Sequence, residues 1–194
     1  MRSRALLPVL TTAVVLGGCG VQAIPQADNA VSAAWAEVEN QYQRRADLVP
    51  NLVETVKGYA SHEKETLEAV VDARARATQV TIKAEELTPE NLKRFEEAQG
   101  QLRSALGRLL AVSENYPNLK ANENFRDLQA QLEGTENRIA IARRRYIEAV
   151  QEYNNLLSVP PTSWTNSLVY HKQPKPQFTA TTAGAAEAPK VKFQ

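Results

Sequence analysis

QYQRRADLVPNLVETVKGYASHE, residues 41–63, decides the fold. Tyr42, Arg45, Val49, Leu52, Val56, Tyr59 and Glu63 recur in it at alternating spacings of three and four. A helix gathers such residues onto one face, and a face that apolar must be covered. Pro50 and Gly58 interrupt the composition but not the phase. Pro50 removes one helical hydrogen bond and crowds the carbonyl of Ala46, so a kink or short break is expected near residues 47–50. Glycine costs about 1 kcal/mol inside a helix and suits a turn. Ser61 can cap a following helix. The expectation is a bent helix that ends between Gly58 and Ser61, with a second helix beyond. Arg45 lies on the inward face. An unpaired buried charge is costly, so it either reaches water with its stem packed or pairs with Glu54, Glu133 or Glu136.

Upstream, Val31, Trp35 and Val38 carry the same phase back to about Ala30, where Asp28 or Asn29 can cap the helix. Residues 20–28 are small or polar, contain Pro25, and read as a tether. Arg2 and Arg4 precede an apolar run over residues 5–16. That run is short of the ~20 residues a spanning helix needs and suits a signal-peptide core. Leu16-Gly17-Gly18-Cys19 then resembles the lipobox of bacterial lipoprotein precursors. The resemblance implies cleavage before Cys19 and acylation of its sulfur, and two or three acyl chains anchor stably. Cys19 is the sole cysteine, so no internal disulfide can form. Gly20 stands where inner-membrane lipoproteins commonly carry aspartate, which leans toward an outer membrane facing the periplasm.

Downstream, Leu67, Val70, Ala73, Ala77 and Val80 continue the stripe until a stop near residues 84–89. Thr88-Pro89-Glu90 is a helix start, with a threonine cap, proline at the first position and an acid in the first turn. Leu92, Phe95, Leu102, Leu106 and Leu109 mark the next stripe, with Gln99 its polar member. Tyr116-Pro117 ends that helix. Phe125, Leu128, Leu132, Thr135, Ile139, Ala142, Tyr146, Ala149, Tyr153 and Leu156 form the last and clearest repeat, which Pro160-Pro161 closes. Each stripe needs neighbours, so an all-α, antiparallel four-helix up-and-down bundle with an irregular C-terminal tail is predicted. The domain plan is a signal peptide over 1–18, a tether over 19–28, the bundle over 29–160 and an extended, partly docked tail over 161–194. Trp164, Leu168, Tyr170 and Phe178 are too apolar for plain linker. Residues 179–188 are small and polar, and residues 189–193 (PKVKF) alternate like a short strand.

Formal charge is +1, and loss of Arg2 and Arg4 takes it to −1. A near-neutral body without a groove-reading motif makes nucleic acid a poor partner. His62-Glu63 could be an acid–base or metal pair, but no HExxH spacing follows and a cap or surface polar role is the plainer reading. No cofactor motif is present. Arg44, Arg45, Asp47, Asn51, Glu54 and Lys57 form a charged cluster around Pro50, readable as a register-fixing network or as an interaction patch. The run Arg143-Arg144-Arg145 with nearby Arg138 suggests a lipid-headgroup patch, with Arg138, Arg144 and Arg145 its candidate residues, although acids interrupt the surrounding surface.

The stretch over residues 44–63, the long stretch over residues 109–157 (LLAVSENYPNLKANENFRDLQAQLEGTENRIAIARRRYIEAVQEYNNLL) and the closing PKVKF resemble the LemA family of bacterial envelope proteins. The resemblance implies an up-and-down four-helix bundle behind an N-terminal hydrophobic anchor, and a part in membrane organisation. It carries no catalytic residue onto this chain. Two departures stand out: Cys19 replaces the usual spanning anchor, and Val159-Pro160 replaces Phe-Pro after the last helix. Three functions follow as alternatives. One is a lipid-anchored, non-enzymatic scaffold with an envelope protein partner. Another is a metal-dependent or hydrolytic accessory enzyme near His62. The third is an anionic-lipid-binding or membrane-remodelling protein. Transport or sensing would need an internal cavity, which seams filled by Leu, Tyr and Phe argue against.

Overall fold

A computed structural model describes the backbone of residues 6–178 and the side chains of residues 22–178. Arg2, Arg4, the Cys19 sulfur, the small polar stretch 179–188 and the closing segment 189–193 lie outside the described side chains or residues. Helix α1 is Leu6–Lys57, α2 Lys64–Gln79, α3 Pro89–Ser113, α4 Pro117–Ala121, α5 Glu123–Ser158 and α6 Thr162–Thr165. A 3-10 turn at Ala84–Glu86 and a π-helical turn at Asn166–Tyr170 complete the order. The described residues are all-α, as the periodicity predicts, but they hold six α-helices rather than four. The two extra helices are short, of five and four residues, and a proline opens or immediately precedes each (Pro117, Pro161). Proline suits a first helical turn, where its missing N–H costs nothing.

α1 and α5 run antiparallel. Trp35 meets Tyr146, Arg45 meets Glu136 and Asn122, the cap of α5, meets Tyr59, so one number falls as the other rises. α2 turns back along α1, with Arg74 on Ala46 and Trp35 on Ile82. α3 returns along α2, with Gln99 on Ala77 and Tyr116 on Glu63.

The predicted seams are the buried ones along α2 and α3, where Leu67, Val70, Ala73, Ala77, Leu92, Phe95, Gln99, Leu102, Leu106 and Leu109 all point inward. In α5 the stripe drifts: Val150 is fully buried where Ala149 is only half so. An ideal helix slips about 20° per heptad against a strict seven-residue repeat, which accounts for the drift. Burial concentrates in two apolar clusters. One gathers Ile24, Val31, Trp35 and Val38 with Phe95, Tyr146 and Phe178; the other gathers Val49, Leu52 and Val56 with Val70, Leu102 and Phe125.

Several local expectations are corrected. The segment 20–28 is not a loose tether: α1 runs through it and through Pro25, and Ile24 and Ala27 are already in the core. Neither Asp28 nor Asn29 is therefore a helix cap. Across Pro50 α1 continues without a break, as the unbroken phase predicts, and the Ala46 carbonyl that Pro50 leaves without its helical donor accepts Arg74 Nε at 2.8 Å. α2 begins after Glu63 with no side-chain cap from Ser61, and it stops at Gln79, short of 84. The β-branched run Val80-Thr81-Ile82 favours extended backbone there. Gln99 Nε2 donates to the end carbonyl of Ala77 at 3.2 Å, and Trp35 Nε1 donates to Ile82 at 2.7 Å. The break over residues 58–63 falls where the sequence places it. In it Ala60 takes the inward place and Tyr59 turns out to 44% exposure, off the predicted seam.

Candidate functional site

The charged residues of the central stretch separate once folded. Arg45 faces inward and is 2% exposed. Its Nη1 donates to Glu136 Oε1 at 2.9 Å, and its Nη2 donates to Gln99 Oε1 at 2.7 Å and to the Gln99 carbonyl at 3.0 Å. The guanidinium also stands 5.0 Å from the centre of the Tyr42 ring. Its Nε has no hydrogen-bond partner among the described residues. This polar layer lies between the two apolar clusters and ties α1, α3 and α5 together.

Arg44, Asp47, Asn51, Glu54 and Lys57 stay exposed on the other sides of α1. Gln43 Nε2 donates to Asp47 at 2.7 Å, and Lys57 pairs with Glu54 at 3.6 Å. Both are exposed helical neighbours of the kind worth a few tenths of a kcal/mol. The six residues thus do not form one patch, since Arg45 is turned inward from the rest.

The arginine run of α5 divides in the same way. Arg143 pairs with Glu96 at 2.8 Å, reaches the Tyr42 hydroxyl at 3.4 Å and lies 4.2 Å from the Phe178 ring centre. Burial pushes the Glu96 carboxyl above its ordinary value, and Arg143 offsets this only in part. Arg138, Arg144 and Arg145 are exposed, and none has an ion pair among the described residues. A solvent-open groove of about 630 Å³ runs over the polar layer, lined by Arg45, Glu96, Arg103, Glu136, Arg143 and Arg144 among others. The sequence counts Arg143 with the headgroup patch, but its pairing with Glu96 of α3 takes it out of that patch, and neither this pairing nor Arg103 is visible in the spacing along one helix.

His62 is exposed in the turn before α2, and Glu63 accepts from the Tyr116 hydroxyl at 3.0 Å. That bond to a carboxylate raises the Tyr116 pKa. His171 is far along the chain, in the left-handed backbone region with φ 52°. Among the described residues no group of three or more His, Cys, Asp or Glu is placed to hold a metal ion. Glu63 thus ties the turn before α2 to Tyr116 after α3.

The tail docks at the opposite end of the molecule. Phe178 is 8% exposed, stacked on Trp35 and edge-on to Tyr146. Tyr146 donates to the Pro176 carbonyl at 2.9 Å and Tyr153 to the Gln173 carbonyl at 3.4 Å. Burial pushes both phenols up, Tyr153 to about 12 with help from the Asp28 charge, so both remain donors. Asn154 exchanges two hydrogen bonds with the Lys175 backbone, each 2.9 Å. Asp28 holds Lys175 at 2.7 Å and Lys172 at 2.9 Å. The expected extended tail is therefore extended only from His171; before it, residues 162–170 coil into α6 and the π-helical turn.

Fold and polar contacts together define a long helical body whose segments are cross-tied from end to end. The chain belongs to the LemA family, whose sequence profile matches residues 34–193. It is similar to Protein LemA of Metamycoplasma hominis, 24% identical over 138 residues, 71% of this chain. The matched region spans 58% of that relative's length. Among the described residues no helix is long and apolar enough to cross a membrane.

Proposed function

We propose that this protein is a lipid-anchored envelope scaffold of the LemA type, non-enzymatic, with its four long helices forming an up-and-down antiparallel bundle. The observation that carries the reading is the junction at Cys19. The lipobox-like Leu16-Gly17-Gly18-Cys19 lies within α1, and Ile24 is already fully buried. Cleavage after residue 18 would leave an acylated cysteine about 8 Å along the helix from the packed body, at 1.5 Å per residue. The body then stands close to the bilayer, facing the periplasm from the outer membrane if the cell has two membranes. Its exposed charges, Arg44 and Arg144 among them, are available to an envelope protein partner.

Mass spectrometry of protein extracted from membranes tests this reading. The expected species lacks residues 1–18 and carries diacylglycerol, with an N-acyl chain, on Cys19; the Cys19→Ser chain keeps its leader. A wild-type chain that retains residues 1–18 unmodified contradicts the anchor.

A second reading, headgroup binding, is favoured by the exposure of Arg138, Arg144 and Arg145 without carboxylate partners among the described residues. Flotation with anionic vesicles tests it. Reversal of all three to Glu lowers binding to anionic but not zwitterionic vesicles if the reading holds; equal binding to both retires it.

A further inference from the structure

One end of the molecule carries an apolar surface that the fold does not use. Val159, Trp164, Leu168 and Val169 are 56%, 63%, 79% and 60% exposed. Trp164 and Leu168 are four residues apart and Val169 is one further, about one turn of this backbone. The turn that displays them is well tied. Ser167 Oγ donates to the Trp164 carbonyl at 3.0 Å, and the Asn166 amide both accepts from Lys172 N at 2.9 Å and donates to its carbonyl at 3.1 Å. Thr162 is buried and donates to the Val159 carbonyl at 2.9 Å.

Two further observations say what meets this surface. The first is position. The register that sets Trp35 beside Tyr146 and Asn122 beside Tyr59 brings Ile24 level with Leu157, and α6 packs on both α1 and α5. Residues 159–169 therefore sit beside the start of the processed helix. The second is charge. No aspartate or glutamate occurs between Glu152 and Phe178, while His171, Lys172 and Lys175 do.

We infer that Trp164, Leu168 and Val169 form a second membrane contact, seated in the headgroup boundary next to the acylated Cys19. The inference rests on the lipid-anchor reading, which brings this end of the bundle against the bilayer. A tryptophan offers a large apolar ring with one polar N–H, suited to that depth. The one carboxylate that meets this flank, Asp28, is paired with Lys172 and Lys175, so the flank offers little repulsion to anionic headgroups. Lipid chains alone would leave the body free to tilt about Cys19; a second contact on α6 fixes its orientation.

The experiment uses the acylated chain as extracted from membranes, reconstituted into phosphatidylcholine vesicles with brominated acyl chains. The protein has two tryptophans, and Trp35 is 1% exposed in the core, so only Trp164 can meet bromine. Part of the emission is quenched, the quenching disappears in Trp164→Phe, and it weakens in Leu168→Ser. Both positions are exposed, and unchanged circular dichroism shows the fold intact. Vesicle-bound protein with the lipid mass on Cys19 but no quenching overturns the second contact and leaves the anchor standing. Emission that ignores bromine yet shifts to the blue in native membranes assigns the surface to a protein instead. An unmodified Cys19 overturns both, and mass spectrometry reports it separately.

Discussion

Arg45 sits where an apolar seam would otherwise be continuous. A guanidinium out of water must find acceptors, and Glu136 with Gln99 supplies three. Removing one partner of such a pair strands the other, at about 3 kcal/mol here, the low end for a broken buried pair because Glu136 keeps access to water. Arg45→Met is therefore expected to lower denaturant stability by about that amount, whereas Arg45→Met with Gln99→Leu and Glu136→Leu recovers most of it. A triple variant no more stable than the single would show that the layer contributes net stability of its own. Pro50 gives a second case. It leaves the Ala46 carbonyl without its helical donor, and Arg74 fills the place. Arg74→Met costs about 1 kcal/mol, the effect of an unpaired carbonyl that is partly solvated. In a Pro50→Ala background, where the N–H returns, that cost shrinks toward zero; a double-mutant cycle reads the difference. Sequence reasoning reached Glu136 among three acids, and Gln99 as the polar seam member. It could not reach Arg74, since the freed carbonyl is visible in the sequence but the helix that will lie over it is not.

Element boundaries were legible where side chains fix the backbone locally. Thr88, the predicted cap of α3, accepts from Asn91 N at 3.2 Å. Boundaries set by tertiary contact were not legible. α1 extends through residues 20–28 because Ile24 and Ala27 have partners in α5 and the tail, which composition alone reads as a tether. The tail itself hangs on Asp28. Burial pulls that carboxyl upward, but the hydrogen bonds and charges of Lys175 and Lys172 outweigh burial and hold it below its ordinary value. The clasp contributes fully above the ordinary aspartate value of ~3.9 and is lost as pH falls through the lowered folded value. Glu96 and Glu39 shift upward through burial, so their charged forms cost stability above the ordinary ~4.3, and acid relieves that cost. Acidification accordingly firms the body first and loosens the tail's hold as pH falls through the lowered Asp28 value. Near-UV circular dichroism of the Trp35–Tyr146–Phe178 cluster follows the release. Asp28→Asn removes that acid step, and an unchanged step in the variant would place the trigger elsewhere.

If Cys19 carries lipid as proposed, α1 runs from it without a break into the cross-tied body. The packed core begins on α1 with Ile24, and the turn over residues 58–63 follows the far end of that helix. From Cys19 to Lys57 a straight helix rises roughly 60 Å. The far turn should then stand well clear of the bilayer while α6 rests on it. Because Cys19 is the only cysteine and its sulfur is taken by lipid in this account, a cysteine introduced at Ser61 or Ser163 is a unique labelling site. Energy transfer from a dye at each position to acceptor-labelled headgroups, in the membrane-reconstituted protein, measures the arrangement directly. Strong transfer from Ser163→Cys and little from Ser61→Cys is the predicted result. Comparable transfer from both would mean that the body lies flat or swings on a loose leash, and would contradict the account.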